Sequence, residues 1–443
     1  MRRLIARTWF PVTLLAAVAI VFVGFGPPSA TSSATRLLAM APPGAGDGPY
    51  APPSGASATE LEIAERYENV RRAPGTVDAY VLLGNAYLQH VRETGDPQDY
   101  QRAEAALSEA RLLAPDNADA LIGLGVLALA RHDFSNALVL GQKAVELAPH
   151  TARAHGVVVD ALTELGRYDE AVASAQRMVD LRPDLASLSR VAYQRELRGD
   201  VDGAIDAMAR SFDAAAGTLP ENREYLRVLI GDLHLLKGDV TSARQIYTAS
   251  LETLPGFVWA NAGMARAATA EGDLQSAISY YRLATDTLPL PELLVALGEA
   301  LQAAGLGDDA EGTFELVRAM QALYTENGVN VELELALFEA NHGDANTAVD
   351  LARRAYSTQP NVKAADALSW ALYRAGQTAG AAVYSAETMR LGTPYPSFAY
   401  HAGMIAIAQG KADEGRALLA RAATATGALS PLDLAAAQTV LNP

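Results

Sequence analysis

The chain has 443 residues, half of them apolar, a formal net charge of −16 and no cysteine. The lack of cysteine excludes disulfides, thiol nucleophiles, thiolate metal sites, c-type haem attachment and a lipidated cysteine anchor. The acidic balance repels phosphate backbones and anionic lipid, so nucleic acid is not an expected partner.

The N-terminus reads as an export segment. Residues 1–7, MRRLIAR, are basic, and residues 9–25, WFPVTLLAAVAIVFVGF, form an uncharged apolar run of 17 residues. Small residues follow, and Ser32-Ser33-Ala34 offers a cleavage site after Ala34. This is the layout of a secretory signal. A run of this length also reaches the lower bound for a membrane span, about 17 residues, so an uncleaved anchor is the alternative. Either way the basic end stays in the cytoplasm, and the body is expected to be periplasmic, extracellular or tethered to the outer side of the cytoplasmic membrane. Four lysines against 31 arginines, with abundant alanine, match a GC-rich bacterial composition.

Four segments follow from this pattern: a signal peptide or anchor at 1–25, a linker at 26–57, a helical body at 58–429 and a closing helix at 430–443. The linker is rich in Pro, Gly and Ser, which supports neither a helix nor a core and predicts flexibility. From residue 58 the apolar spacing becomes helical and self-similar. Alanines 103, 137, 171, 204, 243, 277, 310, 348 and 381 recur at gaps of 33, 34, 38 or 39 residues, and Gly415 extends the series. Turn glycines 166, 199, 238, 272, 305, 343, 376 and 410 move with them, insertions included. Pro115, Pro149, Pro183, Pro255 and Pro289 mark unit ends.

These features resemble the tetratricopeptide-repeat family. Tyr80, Leu83-Gly84 and Tyr87 match the first helix of its unit, and Ala103, Leu107 and Pro115 match the second. Ala243–Tyr247–Pro255, Ala277–Tyr281–Pro289 and Leu297-Gly298 with Ala310–Phe314 are further copies. The resemblance spans roughly residues 74–427 and implies an all-α, right-handed superhelical solenoid of antiparallel helix pairs, about nine to ten repeats. Three places depart from the pattern: ETGDPQDY inside the first repeat, GTLPENRE after the fourth, and a long second helix, LVRAMQALYTENG, in the seventh. They either disturb the superhelical pitch or are tolerated loop variation. The last segment, opening with SPLD, is expected to cover the final apolar face.

No catalytic constellation stands out. None of the seven histidines pairs with another at metalloprotease spacing, and no nucleophile elbow, phosphate loop or calcium loop occurs. No catalysis, cofactor or metal is therefore expected. His132 and His342 fall at turns and read as capping or surface residues. Tyr80, Tyr87, Tyr247 and Tyr281 read as packing residues.

The family resemblance implies that first helices line a concave surface that binds proteins or peptides. By register, the candidate protein-binding residues there are Asn85, Asp160, Asp232, Arg266 and Glu299. The neighbouring floor is mostly small or apolar: Val81, Ile122, Gly156, Val228, Ala262, Val295, Leu333 and Ala367. Asn85 matches one member of the family's carboxylate clamp, but Val81 stands where its lysine would be, so capture of an acidic C-terminal tail is not expected. The sequence thus reads as a non-catalytic scaffold or adaptor whose partner protein it does not identify. Self-assembly of an envelope structure through the solenoid ends is the alternative, and a small-ligand receptor or enzyme the remote one.

Overall fold

The computed structural model describes residues 37–45, 50–52 and 54–442. The expected signal or anchor lies outside these residues. Among the described residues every regular element is helical, and no helix is long and apolar enough to cross a membrane.

A leading helix α1 (Ala58–Arg72) is followed by ten helix pairs. The first five are α2 (Val77–Thr94) with α3 (Gln98–Leu113), α4 (Ala118–Ala130) with α5 (Phe134–Leu147), α6 (Ala152–Glu164) with α7 (Tyr168–Leu181), α8 (Leu185–Leu197) with α9 (Val201–Ala214), and α10 (Pro220–Leu236) with α11 (Val240–Thr253). The second five are α12 (Val258–Ala270) with α13 (Leu274–Thr287), α14 (Pro291–Ala303) with α15 (Gly307–Glu326), α16 (Glu332–His342) with α17 (Ala345–Thr358), α18 (Val362–Arg374) with α19 (Thr378–Thr388), and α20 (Pro396–Ala408) with α21 (Ala412–Ala422). The closing helix α22 (Pro431–Leu441) ends the array.

Each pair is made by local chemistry. Gly199, Gly238 and Gly272 end inner helices at φ of 78° to 80°, a left-handed conformation that a β-carbon would penalise. The next residue, Asp200, Asp239 or Asp273, accepts a backbone N–H of the following first turn and so starts the second helix. His132 replaces the glycine in the second pair and adopts φ 58°.

Packing explains the two small-residue series. The repeated alanines from Ala103 to Ala381 are at most 2% exposed, because two helices cross over each of them. At Gly84 an added β-carbon would lie 2.5 Å from Leu107, and at Gly231 and Gly298 it would collide with the rings of Tyr247 and Phe314. Each large residue of a second helix therefore fills the space that its glycine leaves.

Part of the stretch expected as a linker is packed on the array. The Met40 side chain is buried, and its carbonyl accepts the Tyr87 hydroxyl at 2.7 Å. The Tyr50 N–H donates to Glu68 at 2.8 Å, and the Tyr50 ring meets Tyr67 edge-on.

The superhelix closes on itself. The Tyr324 hydroxyl, at the end of the long α15, donates to the Gly95 carbonyl at 3.0 Å, and Gln101 donates to Asn327 at 3.0 Å. Two of the three irregular stretches thus meet each other. Further along, the Asn330 N–H donates to the Arg131 carbonyl at 3.0 Å, the Asn361 side chain to the Glu164 carbonyl at 2.9 Å, and the Thr393 hydroxyl to the Leu197 carbonyl at 2.7 Å. The acceptors are last-turn or capping carbonyls of inner helices, which have no partner within their own helix. The pairs Asn361–Glu164 and Thr393–Leu197 are separated by 197 and 196 residues, about six repeats. Tyr168, Leu197, Val362 and Phe398 bury an apolar cluster across the same seam.

Candidate concave protein-binding face

First helices α2 to α20 supply the inner face. Four of the five residues expected on it are held by neighbouring helices. Arg190 of α8 grips Asp160 of α6 with both arms, at 2.8 and 2.5 Å. Asp232 of α10 accepts the Tyr247 hydroxyl at 2.6 Å and Arg266 of α12 at 2.5 Å. Glu299 of α14 meets the His342 ring nitrogen at 3.1 Å. Asn85 is half-buried and packs toward α4 near Gly123.

The expected residues therefore staple successive inner helices and are not brought together into one patch. Burial works against the charge of Arg266, but Asp232 beside it raises its pKa above the ordinary range. Burial, then the Asp232 charge, likewise raises Tyr247, so its hydroxyl stays a donor. Arg266 thus keeps its charge beside Asp232.

Along the expected floor, Val81, Ile122, Val228, Ala262 and Leu333 are buried as ordinary inter-helix contacts. Ala367 is fully buried between helices, and Asp366 beside it bonds His401 at 2.9 Å. His342 is mostly buried, stacked on Phe314 with ring centroids 4.2 Å apart. That placement corrects the expectation of a surface or capping role. His132 bonds the Asn330 carbonyl at 2.7 Å and so belongs to the seam.

Sequence reasoning missed the residues that close the inner face. Tyr395, Pro396 and Ser397 at the start of α20, with Gly427 and Ala428, cover the inner surface of α8, α10 and α12. Beneath them lies a cavity of about 480 Å³. Asp232 and Arg266 stand in its wall, so at these repeats the face is a partly roofed pocket. Tyr225, in the second turn of α10, and Trp259, the second residue of α12, form an edge-on pair 5.7 Å apart, and Tyr225 is 42% exposed. Among the described residues no group of three or more His, Asp or Glu is arranged to hold a metal ion.

A stacked array of helical hairpins with an inner face of paired charges defines an α-solenoid repeat protein. Residues 95–150 and 140–186 match the family described as Tetratricopeptide repeat, so the repeats in that stretch are of this type. Solved structures similar to it include Pseudomonas aeruginosa pilF, 21% identical over 49% of this chain and 94% of that one, with a TM-score of 0.36. A thermophilic TPR protein of Thermus thermophilus is 18% identical over 47% of this chain and 98% of that one, with a TM-score of 0.37. A tetratricopeptide repeat protein of Parabacteroides merdae is 15% identical over 55% of this chain and 97% of that one, with a TM-score of 0.41. No curated protein matches the chain.

Proposed function

We propose that the protein is a non-catalytic interaction scaffold acting outside the cytoplasmic membrane, where it binds a partner protein or peptide on its concave face. The observation that carries this reading is the array of ten tetratricopeptide-type hairpins. Location outside the membrane rests on the basic, then apolar, then small-residue order of residues 1–34. On the inner face, the exposed Tyr225 with Trp259 offers the aromatic anchor that protein interfaces favour.

Crosslinking in the native cell envelope, followed by capture of the full chain through a C-terminal tag, tests the proposal. One or two dominant envelope proteins, lost when Tyr225 and Trp259 are replaced by alanine, are expected. Recovery of the bait alone would contradict the scaffold reading and favour self-assembly.

A further inference from the structure

The roofed cavity has a chemistry of its own. Leu229, Leu233 and Leu236 of α10, with Met208 of α9, form an apolar wall. Tyr193 and Glu196 of α8 form the facing wall, and Tyr395 and Ser397 belong to the roof. Its volume lies within the range of small-molecule pockets, about 300–1,000 Å³.

Charge selects among the molecules that could fit. The Asp232 and Arg266 charges cancel across their 2.5 Å contact. Glu196 is not matched in this way. Its hydrogen bond among the described residues is from the Tyr395 hydroxyl, at 2.8 Å to Oε1. The Lys363 ammonium lies over the Tyr193 ring, 5.2 Å from its centroid, and attracts Glu196 without an ion-pair contact, while burial raises the Glu196 pKa. The cavity thus presents leucine side chains, tyrosine rings and a carboxylate that lacks an ion pair. Ring faces attract cations, and a carboxylate binds an ammonium N–H more strongly than a neutral donor.

We propose that this cavity binds a small organic cation, a protonated amine carried on an apolar body. The site is separate from protein binding on the rest of the concave face. It exists only because residues some six repeats further along the chain roof the inner helices. Its ligand would therefore bind the closed superhelix and stabilise it by mass action.

Calorimetric titration of the full chain with three isosteric probes tests the proposal: phenylbutylamine, phenylbutanol and phenylbutyrate. The amine is expected to bind, the alcohol about tenfold more weakly and the carboxylate not at all. Glu196→Gln keeps an acceptor for Tyr395 and should weaken the amine about tenfold while leaving the alcohol unchanged. Leu229→Trp should fill the space and abolish binding of both, with the unfolding midpoint followed to confirm the fold. No binding of the amine, equal binding of amine and carboxylate, or unaltered amine affinity in Glu196→Gln would each overturn the proposal.

Discussion

The turn glycines at positive φ divide into two groups that their sequence pattern does not distinguish. Gly166, Gly199 and Gly238 each sit at positive φ and also against a backbone carbonyl of the next superhelical turn, belonging to Pro360, Gly392 and Thr424. Gly305, Gly376 and Gly410 share the positive φ but face open space. Gly305→Ala should therefore cost about 1–2 kcal/mol, the penalty for a left-handed residue with a β-carbon. Gly166→Ala adds a collision with the Pro360 carbonyl and should cost about 1–3 kcal/mol more. Chemical denaturation of the two variants measures the difference.

Asp433, in the first turn of α22, sets a pH dependence. Burial pushes its pKa from 3.8 up to about 6, with Glu299 acting in the same direction and His401, the Tyr400 hydroxyl and His342 acting against it. The folded state thus holds this proton more tightly than the unfolded chain. The group destabilises the fold above about pH 6, and this penalty disappears as pH falls toward the unfolded value. Asp433→Asn keeps an acceptor for Tyr400. It should raise stability at neutral pH by about 1 kcal/mol after solvent screening, with no gain near pH 4. Thermal unfolding of both proteins across that range provides the check.

At the scale of the element, the hairpins were legible because a helix-crossing alanine and, in most of them, a turn glycine recur together about every 34 residues. Gly343 shows how redundant the signal is. It keeps the glycine spacing but has φ −144°, and Asp344 still caps α17. Ala277, fully buried in α13, tests the register: Ala277→Phe should overpack the crossing and cost about 1–3 kcal/mol. The closing helix was legible from its cap and proline, and its Ala437 is fully buried. Leu434, Val440 and Leu441 pack against the same cluster as Leu419 and Ala422. Removing residues 431–443 should uncover that face, and light scattering should then show concentration-dependent association where the full chain shows none.

The roles of the candidate site residues were less legible. Asp160, Asp232 and Glu299 were placed on the inner face by register alone. Their partners Arg190, Arg266 and His342 occupy other helices, at offsets of 30, 34 and 43 residues that follow no single period.

At the scale of the whole molecule, the sequence implied a superhelix but not its closure. Each seam bond joins residues about six repeats apart, and no local pattern specifies a pairing that depends on summing the rotation of every hairpin between them. The long α15 was visible as an irregularity. Its consequence, Tyr324 seated on Gly95, depended on where five intervening hairpins carried it. Closure partly roofs what was expected as an open groove. Its seam contacts should also couple the first and second superhelical turns, so damage at the seam is expected to be felt in both.

Amide hydrogen exchange at single-residue resolution tests closure most directly. The Asn330 N–H donates to the Arg131 carbonyl, and the Val362 N–H donates to the Tyr168 hydroxyl at 2.9 Å. Both amides lie in or beside loops and would exchange rapidly in an open solenoid. The closed superhelix predicts that both are protected, and that Val362 loses protection in Tyr168→Phe. Exchange of both amides in the wild-type chain as fast as an unbonded loop amide would contradict the seam.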